Sequence, residues 1–170
     1  MVHQQYHQYQ YGFPITNDDN ALFGRLILEI NQAGLSWTTI LNKQQHFYDA
    51  YNGFSIDAIA AYTPADEARL MANPGIIRNR LKIKAAIHNA QVVQQLRQQH
   101  GSFHNWLMHH HPLDRSGWTT LFKKHFTFTG GEIVHEFLMS TGFLPGAHHP
   151  QCPVYAQIAA LHPPWMQLKK

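Results

Sequence analysis

The sequence contains 170 residues, of which 44% are hydrophobic and 14% are charged, enough to bury the core of a single domain over residues 1–170. The net charge of +3 and a pI of about 9.1 permit an anionic partner without requiring one. The single cysteine, Cys152, excludes an intrachain disulfide and is typical of a reducing compartment. Because the start has no apolar leader and no run of about eighteen apolar residues occurs, we expect a cytoplasmic protein without a membrane span.

Helical patterns follow one another along the chain. Acidic residues crowd the first turn of "NDDNALFGRLILEINQAG", and Gly34 ends that helix. Thr63-Pro64-Ala65-Asp66 combines a cap, a proline at the first helical position and an acid two residues later. Period-two alternation never lasts more than a few residues, so the sequence predicts an all-α protein. The predicted helices cover approximately residues 17–34, 36–51, 55–62, 63–73, 79–99, 102–109, 117–124, 131–141 and 152–160.

Glu29 lies at the border of the apolar face of the first predicted helix. At the helical angle per residue, it falls about 20° from Leu22, which shares one arc with Leu26, Ile30 and Ala33. A carboxylate there is partly desolvated and needs a partner, because burying an unpaired charge is costly. From the helix alone, the alternatives are a salt bridge, a side chain that reaches solvent, or a functional carboxylate that faces Trp37.

The middle of the chain is basic. No acid occurs between Ala68 and Leu113, and four basic residues cluster in "RNRLKIK", residues 78–84, after the turn "NPGIIR". A glycine turn that leads into a helix N-terminus presents backbone N–H groups that suit a phosphate, and basic neighbours add attraction for a nucleic-acid backbone. The turn also resembles that of a helix-hairpin-helix module. A solvated helix face is the alternative.

Three strings together resemble the 3-methyladenine DNA glycosylase I family: "YHQYQYGFP", "QAGLSWTTIL" and "NPGIIRNRLKIKAAIHNA". The resemblance is close from about Tyr6 to Leu96 and looser from about Trp118 to Cys152. It implies an all-helical, helix-hairpin-helix DNA glycosylase that flips N3-methyladenine out of alkylated double-stranded DNA and hydrolyses its N-glycosidic bond, as in base excision repair. We expect a monomer that needs no cofactor for chemistry and does not cleave the strand.

By this resemblance, the base pocket falls on Tyr6, Glu29 and Trp37. An aromatic pocket offsets the stacking that a flipped base loses, and an electron-rich ring attracts a base made cationic by methylation. Glu29 is the candidate catalytic residue, but we expect its main role to be recognition. A carboxylate that binds the cationic base equally well before and during bond cleavage does not raise the rate of the chemical step.

The resemblance also implies a DNA-binding surface. Leu35, in the turn with Gly34, is expected to wedge into the gap left by the flipped nucleotide, although ordinary core packing is an alternative. The residues expected to hold phosphates are Gly75, Arg78, Arg80 and Lys82.

A structural zinc site is a further implication that the sequence leaves open. His7, His148 and Cys152 match three ligands of the family, but the family's early cysteine has no counterpart, so that His3 is a candidate substitute. An inert buried thiol at Cys152 is the alternative. Terminal segments 1–15 and about 142–170 are expected to pack together as a small subdomain.

Two departures from the family affect the expected pocket. Tyr11 stands where the family usually has tryptophan, and "GGEIVHEF", residues 130–137, replaces a helix start richer in threonine and tyrosine. The preferred lesion can therefore differ. Two other hypotheses remain at this stage: an inactive relative that binds DNA or a lesion, and an unrelated helical protein whose histidines and cysteine bind metal.

Overall fold

Helices form all the regular secondary structure in residues 1–167, the part of the chain that this computed structural model describes. The prediction of an all-α protein is confirmed. Two short 3₁₀ helices cover Asn52–Phe54 and Pro164–Met166. The α-helices are α1 (Val2–Tyr9), α2 (Asp19–Gln32), α3 (Trp37–Asn42), α4 (Gln44–Ala50), α5 (Ile56–Ala60), α6 (Pro64–Met71), α7 (Arg80–His100), α8 (Phe103–His110), α9 (Arg115–His125), α10 (Gly131–Ser140) and α11 (Pro153–Ala160).

Helix α2 is the central element of the fold. Asp18 caps its N-terminus by accepting a hydrogen bond of 2.9 Å from the Ala21 amide. Every residue from Leu22 to Asn31 is buried, because α3, α4, α5, α7, α8 and α10 all pack around the helix. The sequence placed Glu29 at the border of an apolar face, but α2 has no exposed face along this stretch. Glu29 is therefore a core residue.

One helix was not predicted, and one predicted helix is divided in two. Helix α1 was not predicted, because Tyr6 is its only buried residue and no apolar stripe repeats along it. The second predicted helix is interrupted at Lys43, which separates α3 from α4. The side chain of Lys43 leaves this junction to donate a hydrogen bond of 3.2 Å to the Pro74 carbonyl.

Helices α6 and α7 pack together as a helical hairpin. Thr63 and Asp66 form the reciprocal cap that begins α6, and the Asn79 side chain caps α7 by accepting from the Lys82 amide at 3.1 Å. Ile76, in the connecting turn, is only 3% exposed and anchors that turn in the core. The first turn of α7 is thereby fixed against the body of the protein.

The N-terminal segment contacts the segment that precedes and includes α11. A Cβ at Gly12 would lie 2.7 Å from Ala147 Cβ and 3.1 Å from Ile158 of α11, and His148 Nε2 donates to the Tyr11 carbonyl at 2.6 Å. These contacts are those that the expected terminal subdomain requires, but its separate existence stays a prediction, and residues 168–170 lie outside the described part. Among residues 1–167, no helix is long and apolar enough to cross a membrane.

Candidate functional site

A cavity of about 890 Å³ lies between α1, α2, α3 and α10. Its walls are mainly apolar and aromatic, with carboxylates on two sides. The turn that connects α2 to α3 forms part of its rim. The lining residues are His3, Tyr6, His7, Tyr11, Glu29, Gln32, Ala33, Gly34, Trp37, Gly130, Gly131, Glu132, Ile133 and Glu136. Pockets of this size and composition are typical of sites that bind a planar organic ligand.

The aromatic wall joins three rings from separate elements. Tyr6 of α1 meets the indole of Trp37 edge-on, with ring centroids 5.2 Å apart and planes at 63°. Tyr11 lies beyond Tyr6, at a centroid distance of 5.6 Å. Ser36 caps α3 by accepting from the Thr39 amide, and this cap positions Trp37 at the first residue of that helix. A flat aromatic ligand can therefore contact two or three rings at once.

Glu29 faces this cavity from α2 and is only 4% exposed. The pKa of Glu29 is raised from its ordinary 4.5 to about 8, mainly by burial and in addition by the nearby Glu136, while Arg25 opposes both effects. No salt bridge involves Glu29 within residues 1–167, so the salt-bridge alternative does not hold. Burial thus disfavours the charged form of Glu29 at neutral pH in the ligand-free protein, and a nearby cation would favour that form.

Arg25 orients the tyrosine of the aromatic wall. It lies one turn before Glu29 on α2, is 7% exposed, and donates a hydrogen bond of 3.2 Å to the Tyr6 hydroxyl. Its guanidinium carbon is also 5.3 Å from the Tyr6 ring centroid. Burial raises the pKa of Tyr6 to about 12 despite the opposing effect of Arg25, so the phenol stays neutral. Arg25 fixes the ring and partly offsets the acidic groups of the cavity.

A second carboxylate, Glu136, lies on the α10 side of the cavity. The Tyr11 hydroxyl donates a hydrogen bond to it at 3.3 Å. Burial raises the pKa of Tyr11, and the neighbouring Glu136 charge raises it further. Because an un-ionised phenol is a hydrogen-bond donor, Tyr11 serves here to hold the Glu136 carboxylate in place.

The turn between α2 and α3 projects at the rim of the cavity. Gly34 has φ of +79°, a backbone conformation that favours glycine, and open space surrounds the position of a Cβ there. Leu35 is 38% exposed, so the core-packing alternative does not describe it. The Leu35 amide donates to the Gln32 carbonyl at 2.8 Å, which tightens the turn and presents the leucine outward.

The four hairpin residues expected to hold phosphates are not equivalent. Arg78 and Arg80 are exposed, as that role requires. Lys82, in contrast, is 5% exposed, and its ammonium donates to the carbonyls of Asn31 at 2.9 Å and Ala33 at 2.8 Å. The prediction of a phosphate contact is therefore wrong for Lys82, whose charge stabilises the C-terminal end of α2 instead.

Gly75 also differs from the prediction. Its amide donates to the Asn73 side chain at 2.8 Å, so this N–H group is already used within the turn. A Cβ at this position would lie 3.0 Å from the His46 ring, so the close approach of this side chain explains the glycine. In this conformation Gly75 shapes the hairpin turn and does not offer its amide to a phosphate.

His7, His148 and Cys152 converge next to the cavity, where their ligand atoms all lie within 4.8 Å of one another. His7 Nε2 is 3.1 Å from His148 Nδ1, and Cys152 Sγ is 3.9 Å from each of these nitrogens. His148 Nε2 donates to the Tyr11 carbonyl at 2.6 Å, which leaves the Nδ1 lone pair directed at the group. His3 does not belong to this group, and its Nε2 is instead hydrogen-bonded to Thr38.

The sequence motifs predict that Tyr6, Glu29 and Trp37 lie together, and all three line the same cavity in the structure. The sequence motifs do not identify Arg25 or Glu136 as residues of this site. Arg25 carried a signal, since it stands four residues before Glu29 and therefore on the same face of α2. Glu136 carried a weaker one, because nothing in the sequence shows which face of α10 lines the cavity.

An all-helical fold, a helical hairpin with exposed arginines and a neighbouring aromatic cavity with a buried carboxyl are the features expected of a helix-hairpin-helix DNA glycosylase. Comparison with known proteins assigns the chain within this class. A family model described as methyladenine glycosylase matches residues 1–118. The chain belongs to the methyladenine glycosylase family, as its sequence motifs predict.

Individual relatives agree with this assignment. DNA-3-methyladenine glycosylase 1 of Escherichia coli is 32% identical over 158 residues, covering 82% of this chain and 84% of the relative. DNA-3-methyladenine glycosylase of Haemophilus influenzae is 28% identical over 171 residues, covering 89% and 91%. The structure of 3-methyladenine DNA glycosylase I from Staphylococcus aureus superposes with a TM-score of 0.81 at 32% identity, covering 91% of each chain. A tyrosine-to-phenylalanine variant of such an enzyme, solved in complex with 3-methyladenine, gives the same TM-score and identity, covering 91% of this chain and 92% of the variant.

Proposed function

We propose that this protein is a monofunctional DNA glycosylase that excises N3-methyladenine from alkylated double-stranded DNA. Water adds to C1′ of the deoxyribose, the bond from C1′ to N9 of the base breaks, and its electron pair leaves with the base. The base departs as neutral 3-methyladenine, the water proton passes to solvent, and an abasic sugar remains. The observation that carries the proposal is the meeting of Tyr6, Glu29 and Trp37 on one cavity in a chain of this family.

The protonation of Glu29 gives the cavity a means of selection. Without a ligand, burial keeps the pKa of Glu29 at about 8, so the group is largely un-ionised at neutral pH. A methylated base carries a positive charge, which favours the ionised carboxylate and lowers this pKa. A neutral adenine supplies no such compensation. Binding of the cationic base is therefore coupled to loss of the Glu29 proton, and the energetic cost of burying the carboxylate is offset only for the damaged base.

Bond cleavage needs little help beyond positioning. The methylated base is already a good leaving group, and positive charge moves from the base to the sugar as the bond breaks. Because Glu29 holds the charged base before cleavage as well, we assign it mainly to recognition. The aromatic rings hold the flipped base in a single plane, since stacking on an aromatic side chain contributes roughly 1–3 kcal/mol per base.

Base release from methylated duplex DNA tests this function directly. We expect the wild type to release 3-methyladenine, and Glu29→Gln and Trp37→Ala each to reduce the rate by about a hundredfold while duplex binding changes less than about threefold. Lys124→Ala, an exposed position on α9, is the control. Intact duplex binding without base release by the wild type would instead identify an inactive lesion-binding relative.

Exposed residues near the cavity are the proposed DNA contacts. Arg78 and Arg80 are free to approach the phosphates, and Leu35 projects from the rim, where an apolar side chain can fill the space of a flipped nucleotide. The monomeric state and the cytoplasmic location stay predictions.

We further propose that His7, His148 and Cys152 hold a structural zinc ion. Nitrogen and sulfur donors of a tetrahedral zinc site stand roughly 3.3–3.6 Å apart. The observed separations of 3.1 and 3.9 Å fit after small side-chain adjustments. The Tyr11 carbonyl fixes the His148 tautomer that leaves Nδ1 free to bind a metal. Zinc here would tie α1 to the segment before α11 and would supply no chemistry to the reaction.

Metal analysis of the purified protein tests this proposal. We expect about one zinc per chain, lost in Cys152→Ser and in His148→Ala, together with a lower thermal midpoint. His149→Ala removes an exposed neighbouring histidine and should retain the metal. Protein that gains no zinc when it is supplied, or variants that keep it, would show that Cys152 is an inert thiol.

A further inference from the structure

We infer that Glu136 determines the specificity of the base cavity. Its carboxylate supplies a negative charge that favours cationic over neutral bases. The inference rests on the proposed function, since it assigns the cavity to a base. Glu136 is not one of the residues that the sequence motifs identify. It lies on α10, so it approaches the ligand space from a helix other than the one that carries Glu29.

The positions of the two carboxyl groups give them different roles. Glu29 is enclosed on α2, and burial there disfavours its charged form. Glu136 is only partly buried, and it accepts a hydrogen bond from the Tyr11 hydroxyl. The Glu136 carboxylate is close enough to Glu29 to contribute to the raised pKa of that buried group.

Charged groups from the surrounding elements do not cancel this arrangement. Arg25 on α2 is directed to the Tyr6 hydroxyl and forms no salt bridge with Glu136 in the described residues. Glu132, one turn earlier on α10, is paired with Arg115, and its side chain is 84% exposed. His3 is hydrogen-bonded to Thr38, and His7 faces the cluster with His148. Glu136 is thus a second carboxylate, besides Glu29, that can act on a ligand within the cavity.

A fixed charge of this kind discriminates by electrostatics and not by shape. Within a partly desolvated cavity, a carboxylate attracts a delocalised cation more strongly than it would in water, and it gives a neutral ring no comparable gain. It also raises the cost of ionising Glu29 when no cation is present, since two like charges would then face one another. Glu136 therefore favours the cationic base in both ways.

Two small ligands with the same ring system allow the effect of ligand charge on binding to be measured apart from the effect of ligand shape. The 3,9-dimethyladeninium ion is permanently cationic and imitates the methylated base with its sugar bond, whereas 9-methyladenine is its neutral counterpart. Titration calorimetry on the full chain would give the dissociation constant of each. Glu136→Gln should weaken binding of the cation about tenfold and binding of the neutral ring less than about twofold. Glu136→Asp, which keeps the charge, should retain most of the preference for the cation.

Glu67→Gln is the matched control, because it removes the same formal charge from α6, where the residue does not line the cavity. It should change neither constant more than about twofold, and the thermal midpoint of each variant checks folding. Equal weakening of both ligands by Glu136→Gln, or no weakening of the cation, would overturn the inference. So would a wild type with no preference for the cation. A wild type that prefers the cation but releases no base from methylated DNA would contradict the proposed function and leave this inference standing.

Discussion

The base cavity and the α6–α7 hairpin both carry charge, but they use it in opposite ways. In the cavity, Glu29 is 4% exposed, so its protonation state depends on what occupies the space in front of it. On the hairpin, Arg78 and Arg80 are exposed and permanently charged. Buried charge can distinguish one ligand from another, whereas exposed charge attracts any phosphate backbone and weakens with salt. Selectivity and general affinity are thus located in separate parts of the molecule.

Lys82 joins these two regions. The backbone of Lys82 lies in the first turn of α7. Its ammonium donates hydrogen bonds to the carbonyls of Asn31 and Ala33, which follow Glu29 at the C-terminal end of α2. The basic helix start is thereby fixed to the rim of the cavity. A duplex held by the hairpin would approach the cavity in a defined orientation, which is the condition for one flipped base to enter it.

The largest expected effect concerns the buried carboxyl of the cavity and the free energy of unfolding. The ordinary pKa of 4.5 for Glu29 is raised to about 8 in the folded protein, so the folded state binds more protons than the unfolded state between these values. The free energy of unfolding therefore falls as pH rises through this window. Glu29→Gln removes that penalty. We expect the free energy of unfolding of the variant to exceed that of the wild type by on the order of 4 kcal/mol at pH 8 and by little at pH 4.

Urea unfolding at several pH values would measure this difference. Glu132→Gln on the exposed rim should leave the pH dependence of the wild type unchanged. A Glu29→Gln protein with the same pH dependence as the wild type would show that this carboxyl is ionised in the free protein. A more stable but inactive variant would mean that the site retains an unfavourable group because recognition needs it.

A second prediction separates Lys82 from its basic neighbours. Lys82→Ala leaves two carbonyls of α2 without their donor and should lower the free energy of unfolding by about 2 kcal/mol. Because this side chain is buried, the variant should keep the salt dependence of DNA binding. Lys84→Ala, two residues along the same helix and exposed, should change stability by less than about 0.5 kcal/mol. A variant of Lys82 with wild-type stability would contradict the role assigned to its ammonium.

The limits of the sequence prediction have physical causes that Lys82 and α1 illustrate. Helices with strong caps and apolar repeats were predicted well, among them α2, α6 and α7, because those signals are local. Helix α1 was missed, since it buries only Tyr6 and is held by contacts with distant segments. The direction of a lysine side chain is also not local: "RNRLKIK" shows four cations, but only packing against α2 determines that Lys82 faces inward. The same limit applied to Glu136, whose place in the cavity depends on how α10 packs.

The smallest expected effect concerns the exposed arginines. Each phosphate contact contributes a slope of roughly 0.9 to the dependence of log affinity on log salt, so Arg78→Ala and Arg80→Ala should each reduce the slope by about one. Duplex affinity at moderate salt should fall about fivefold, equally for methylated and unmethylated DNA, because a phosphate contact carries no information about the base. Binding isotherms over a range of salt concentrations measure both quantities, with Lys82→Ala as the internal comparison. Unchanged slopes for both arginine variants would place the duplex elsewhere and would remove the hairpin from the interface. If the arginine variants instead lost affinity only for methylated DNA, the hairpin would take part in selecting the base. Base selection would then not be confined to the cavity.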